Sequence, residues 1–305
     1  MRRFFLQTLT AIALIASLAS CSKGNDNPDV EPPSPPEPVK PTPIVIAVNP
    51  HTRATDSGYE SGDKVGIFVV NYAAETTAGT LTAAGNHVDN MRFAFDGAKW
   101  TPDETVYWKD RTTKADFYCY YPHRASLTSI TDVSVSVPVD QSTTGKYQEG
   151  DFLWGKTSSA PTTSAVSITT NHVMSNLLIY LEAGEGYTAT TLAAAEKQLT
   201  INGTKTTGTL HLATGVVTAT GNAADITPLA TDGYYRALIV PQTVTDANLI
   251  TLTVDGKSYT LKQTLTFKAN TKHECKLIVG KVSSGINIGI GSWESDSNDY
   301  GGSVQ

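Results

Sequence analysis

Beyond residue 43 the chain alternates apolar and polar positions, interrupted every few residues by Gly, Pro, Asp or Asn. A period of two puts every second side chain on one face of a pleated strand. Residues 44–48 (IVIAV) read as a first strand, and residues 63–70, entered through Ser61-Gly62, as a second. Residues 91–95 turn at Asp96-Gly97 into Lys99-Trp100. Residues 106–108 and 115–121 follow, the latter stopped by Pro122, and residues 133–139 alternate Val with Ser and Pro. β-Branched and aromatic residues bounded by turn formers are the expected chemistry of strands.

A loop rich in Ser, Thr, Gly and Pro at about 155–164 separates this half from a second one. Strands are predicted there at 166–168, 172–182, 197–202, 208–212 and 216–217, with Gly215 as a turn residue. Residues 234–240 form another strand, ended by Pro241. Residues 249–254 and 258–265 make a hairpin across Asp255-Gly256, a strong two-residue turn signal, and 273–279 follow. Residues 190–196 are the one helix candidate. Many short strands with regular turns predict an all-β chain of two antiparallel β-sandwich domains, 44–160 and 161–293. Residues 294–305, polar and Gly-rich, read as a disordered tail.

The N-terminus departs from this pattern. Arg2 and Arg3 precede an apolar stretch over residues 9–18, and Leu18-Ala19-Ser20-Cys21 closes it. A basic start, a short apolar run and small residues before a cut describe an export signal. The Cys directly after Leu-Ala-Ser makes it a bacterial lipoprotein signal, residues 1–20, cleaved before Cys21. The thiol takes a diacylglycerol and the freed amine a further acyl chain such as palmitate. Each buried methylene contributes about 0.8 kcal/mol, so more than one chain anchors stably. Residues 21–43 are rich in Pro, Ser and acidic groups, cannot bury enough surface to fold, and act as an extended spacer.

Composition narrows the partners. The full chain carries 23 basic and 29 acidic residues, net −6, and loss of Arg2 and Arg3 takes the mature chain to −8. An acidic surface argues against nucleic acid and against an anionic membrane face. Cys119 and Cys275 lie in separate apolar segments and read as two buried free thiols. The histidines 51, 87, 123, 172, 211 and 273 show no ligand spacing; His172 reads as a packed or hydrogen-bonded residue. There is no Gly-x-Ser-x-Gly and no phosphate loop. Gly203 and Gly208 bracket a turn, and Asp63, Asp116 and Asp151 read as turn caps at strand edges. No catalytic residue, metal or cofactor is expected. Trp100, Trp108, Tyr118, Tyr120, Tyr121 and Trp154 crowd the first half. Alternation puts Phe117, Cys119 and Tyr121 on one face of their strand and Tyr118 and Tyr120 on the other. That set reads as a two-layer core, the alternative being an exposed platform for a sugar or host protein.

Several stretches together resemble the fimbrillin family, the type V pilus subunits and their Mfa-like relatives. They are Thr52-Arg53-Ala54-Thr55 followed by Gly62-Asp63-Lys64-Val65-Gly66-Ile67-Phe68; Val106-Tyr107-Trp108 leading to residues 115–122 (ADFYCYYP); Asp151-Phe152-Leu153-Trp154-Gly155-Lys156; residues 171–177 (NHVMSNL); residues 235–242 (YRALIVPQ); and Trp293. The resemblance implies two transthyretin-like β-sandwich domains. It further implies export as a lipoprotein to the outer membrane surface, cutting by an Arg-specific protease, and assembly with other fimbrial subunits by β-strand exchange.

Arg53-Ala54 lies in a polar, turn-like stretch after strand 44–48, and such loops are preferred nicking sites. A cut there would release that strand and leave unpaired N–H and C=O groups beside an emptied apolar slot, which invites strand addition. Ile286, Ile288 and Ile290 alternate with small or polar residues and would share one face of a strand. That strand is either a donor to another subunit or the last strand of its own domain. The expected function is a structural subunit of a surface fimbria that contributes to adhesion. The alternative is a tip or accessory adhesin, or a permanently lipid-anchored surface protein, that binds a glycan or host protein.

Overall fold

Most of the period-two segments form strands, but residues 106–108 do not: they hold only an isolated bridge, Tyr107 to Pro43. The structure, a computed structural model, describes the backbone of residues 40–50, 58–282 and 285–296, and the side chains of residues 40–49 and 58–281. The strands β1 (Ile46–Pro50), β8 (Val166–His172), β7 (Leu153–Ser159), β5 (Ala115–Tyr121), β2 (Lys64–Asn71), β3 (Val88–Phe95) and β4 (Trp100–Pro102) lie side by side in that order. A second sheet runs β11 (Val216–Ile226), β10 (Lys197–His211), β14 (Gln242–Val254), β15 (Lys257–Phe267), with β6 (Val133–Ser136) also paired to β10. A third runs β12 (Leu229–Ala230), β13 (Tyr234–Ile239), β9 (Ser175–Ala183), β16 (Thr271–Val282), β17 (Gly285–Asp296). Among the described residues there are two short helices, α1 (Thr144–Gln148) and α2 (Ala189–Ala194). The all-β expectation holds.

Four further expectations are corrected. The sheets are not purely antiparallel: β1 on β8 and β9 on β16 are parallel. Parallel pairs need long connections, and both pairs join segments far apart in sequence. The Ser/Thr/Pro-rich loop does not divide the strand pairing. It joins β7 to β8, which pair antiparallel at Leu153↔His172 and Trp154↔Asn171, so residues 166–172 belong to the seven-stranded sheet, while β6 from the first half pairs with β10. Residues 197–211 are one strand with irregularities rather than two strands. Gly203, at φ +68°, sits in the first irregularity. Finally, β17 pairs as far as Asp296, three residues into the expected tail.

The helix expected at 190–196 is α2, capped by Thr188, whose hydroxyl accepts from Thr191 N while the Thr191 hydroxyl accepts from Thr188 N. That reciprocal pair is a capping box. The hairpin at Asp255-Gly256 forms as expected, with φ of 48° and 77° at the two residues. Only glycine adopts that region without a Cβ penalty. Gly256→Ala is therefore expected to cost about 1 kcal/mol by the left-handed penalty, readable by urea denaturation.

The centre of the seven-stranded sheet is buried on both faces, which is why β2 and β5 are apolar almost continuously. One face of those strands sends Val65, Ile67, Val69, Phe117 and Cys119 into a smaller core shared with β1. The other sends Phe68, Val70, Tyr118 and Tyr120 into a larger core continuous with the other two sheets. The aromatic set thus fills a two-layer core: Trp100, Trp108, Tyr118 and Tyr120 are buried, and Trp154 is half-buried, its indole N–H donating to Leu212 O at 2.7 Å. Cys119 and Cys275 are buried free thiols, and burial pushes the Cys275 thiol up to about 12.

Candidate functional site

The candidate site is the seat of β1. Ile44, Ile46 and Val48 are 5, 4 and 5 % exposed, whereas Val45 between them is 52 % exposed. One face of the segment therefore belongs to the smaller core, beside Trp100, Val106, Trp108, Val166 and Ile168. The main chain is held on two sides. Against β8 the register is Ile46↔Val166, Val48↔Ile168 and Pro50↔Thr170, with Val166 N donating to Val45 O at 2.8 Å. On the other side Ile44 N donates to Val106 O at 2.8 Å and Trp108 N to Thr42 O at 2.9 Å. Pairing thus starts at Thr42, two residues inside the expected spacer. The Trp100 indole N–H also donates to Val48 O at 3.1 Å.

β1 and β4 are opposite edges of the sheet, so the Trp100 bond carries β1 across to the far edge. The sheet curls around the smaller core, and β1 is the strand that closes it. Sequence reasoning identified the strand but missed its seat. Neither the β8 pairing nor the Trp100 bond has a local signal, since the partners are 120 and 52 residues away.

The chain leaves β1 towards the expected cleavage bond. Arg53 and Ala54 lie outside the described residues, as does Cys21. The flanks of that stretch converge on β8. Pro50 pairs with Thr170, and the Tyr59 hydroxyl lies 2.8 Å from Thr170 Oγ1. Tyr59 also packs edge-on against Trp100, with ring centroids 4.9 Å apart, and burial pushes its hydroxyl pKa well above the usual range.

The backbone of the expected donor strand is described. Within β17, Ile286, Ile288 and Ile290 pair with Lys281, Val279 and Leu277 of β16. In the isolated chain this strand is thus an edge strand of the chain's own third sheet.

The carboxylates behave differently from one another. Asp63 caps its turn, its Oδ2 accepting from Glu60 N at 2.8 Å, and its Oδ1 accepts from the Tyr121 hydroxyl at 3.1 Å. Asp151 and Asp116 are buried. Asp151 Oδ1 lies 2.6 Å from His172 Nδ1, and both side chains are buried; His172 is a hydrogen-bonded structural residue, as expected. Asp116 accepts from Ser158 Oγ at 2.5 Å and pairs with Lys156 Nζ at 3.0 Å. Burial alone would raise its pKa, but the Ser158 bond and the Lys156 ammonium outweigh that and hold it below the ordinary carboxylate value. A depressed carboxylate stabilises the fold above its unfolded pKa, and that contribution fades as pH falls through the folded value. Lys156→Met is therefore expected to be less stable than the parent near pH 7, with the gap closing in acid once Asp116 is protonated. Urea melts at both pH values read the difference; a gap that stays constant would rule out this pair as the cause.

Among the described residues no group of His, Cys, Asp and Glu side chains converges on a metal position. No described helix is long and apolar enough to cross a membrane.

The architecture recurs in solved structures. A protein of Bacteroides uniformis named as a cell adhesion protein superposes with a TM-score of 0.63 over 84 % of this chain and 97 % of its own, at 20 % identity. Among curated proteins, one named as fimbrium subunit Fim1C, also of Bacteroides uniformis, is 25 % identical over 266 residues, 81 % of this chain and 82 % of that protein. One of Bacteroides ovatus, named as a fimbrium tip subunit, is 31 % identical over 93 residues, which is 29 % of this chain and 16 % of that protein. The family model described as fimbrillin-like matches residues 52–293, beginning just after β1 and running through the resembling stretches. The chain belongs to the fimbrillin-like family.

Proposed function

We propose that this chain is a structural subunit of a surface fimbria, joined to neighbouring subunits by strand exchange at the seat of β1. The observation that carries the reading is the segment 44–50 with β1: a closing strand, seated by the buried side chains of Ile44, Ile46 and Val48, that runs on in sequence to Arg53. In this reading the chain is exported as a lipoprotein acylated at Cys21 and tethered to the outer membrane. An Arg-specific protease cuts Arg53-Ala54, β1 leaves, and a strand from another subunit takes its place. The family match starting at residue 52 is consistent with a mature subunit that lacks β1.

The donor proposed is residues 286–290. Their sequence, INIGI, repeats the spacing of IVIAV at 44–48, with apolar residues at the first, third and fifth positions. Donation requires release from β16. The reading assigns assembly and adhesion at the cell surface and no catalysis.

The test is the N-terminal residue of protein sheared from native cells, read by mass spectrometry. Ala54 in high-molecular-weight material that resists dissociation is expected, and Arg53→Ala should leave monomer with an acylated Cys21. An acylated Cys21 on monomer from the parent strain would overturn the polymer reading.

A further inference from the structure

We propose that the open end of β9 is a docking site for an extended peptide that carries a basic residue beside an apolar one. This site lies in the third sheet, apart from the seat of β1, and does not rest on strand exchange there. Pairing between β13 and β9 stops at Tyr234↔Tyr180. β9 continues through Leu181, Glu182 and Ala183, which pair with Leu277, Ile278 and Val279 of β16 on their other side. No described strand pairs with the β13-side edge of these three residues. Backbone N–H and C=O groups at such an edge are a template for an added strand.

The edge opens into a cavity of about 690 Å³ lined by α2 and by the turn at 231–233. Leu181, Leu192 and Tyr235 give it an apolar wall, which accepts alternate side chains of an added strand. Two exposed carboxylates, Glu182 and Asp232, also line it, and neither forms an ion pair among the described residues. The cation at the site is already committed: Lys197 Nζ donates to the carbonyl oxygens of Leu192, Ala193 and Ala195 at 2.8, 2.9 and 2.6 Å. An ammonium has three donors, so the Lys197 N–H groups are all used. The cavity therefore offers an open main-chain edge, an apolar wall and two uncommitted negative charges. Those features complement a strand with an apolar side chain turned inward and a lysine or arginine at the rim.

The probe is a fluorescein-labelled, end-capped peptide, Thr-Val-Lys-Val-Thr, titrated with the full mature chain and followed by anisotropy. Saturable binding is expected. Replacing the central Lys by Glu should weaken it by about tenfold or more, as should N-methylation of the peptide backbone, which removes the strand bonds. On the protein, Asp232→Lys should weaken binding, and Ala193→Trp, which fills the cavity from an exposed helix position, should abolish it. Both variants should melt at the parent temperature. Absence of saturable binding, or equal binding of the N-methylated peptide or by Ala193→Trp, would overturn the proposal. Saturable binding of a neutral oligosaccharide at this cavity, with none of the peptide, would overturn it as well.

Discussion

A chain lacking residues 44–49 is expected to lose most of its folding stability and to recover it when a matching strand is supplied in trans. Burying each of Ile44, Ile46 and Val48 contributes about 1.5–3 kcal/mol, so the segment as a whole contributes roughly 5–9 kcal/mol, an upper figure because unfolded chains already bury some surface. Domains of this kind have about 5–15 kcal/mol in total. The truncated chain also leaves the β8 edge unpaired and the Trp100 indole without its Val48 acceptor. Guanidinium denaturation should show a much lower midpoint, and gel filtration should show association through the open edge. A synthetic peptide covering residues 42–49 should restore both the midpoint and the monomer. Val45→Ala serves as the control: that side chain is exposed, and surface changes of this kind stay within about 0.5 kcal/mol. A truncated chain as stable as the parent would mean that β1 does not close the sheet.

The second large effect is expected at Gly155. The residue lies on β7 opposite Cys119 of β5. A Cβ built there would stand 2.2 Å from Thr169 O and 3.0 Å from its carbonyl carbon. Both obstacles are main-chain atoms of β8, so no rotamer change relieves the clash, and the two strands must separate. Thr169 pairs in turn with Asn49 of β1, so the disturbance reaches the closing strand. Overpacking costs about 1–3 kcal/mol where side chains can yield. Gly155→Val is expected at or above about 3 kcal/mol, since the backbone has to move. Gly145→Ala is the contrast, because nothing lies within 4 Å of a Cβ there; in α1 it should be neutral or stabilising by about 0.5–1 kcal/mol. Parallel urea melts of the two variants decide the matter, and equal melts would show that the close approach is not a constraint.

Gly155 also shows why one of the resembling stretches looks as it does. In Asp151-Phe152-Leu153-Trp154-Gly155-Lys156, Asp151 holds buried His172, Phe152 stacks with Tyr120 at 6.0 Å, and Trp154 bonds Leu212 O. Lys156 neutralises buried Asp116. Phe152 and Trp154 belong to the larger core, and Asp151, Phe152, Trp154 and Lys156 are all held by partners distant in sequence.

What was legible in the chain was local. Alternation placed most strands, because a half-buried strand must alternate. Asp255-Gly256 specified its hairpin, because both positions take positive φ. The 115–121 alternation separated Phe117 and Cys119 from Tyr118 and Tyr120, and the two cores divide these residues in the same way. α1 was missed because Thr144-Gly145 is weak helix sequence, and its Thr143 cap serves turns equally well.

The sequence by itself determined the all-β class, the strand faces, the main hairpin and the resemblance to fimbrillins. Only the tertiary structure decided which strands meet. It turned β1 parallel to β8, moved residues 166–172 into the first sheet, sent β6 to the second, and buried Asp116 and Asp151. The physical reason is that period-two patterning says which side chains face inward but nothing about the partner's identity or direction. That choice falls to whichever distant edge offers free hydrogen bonds beside a complementary apolar face.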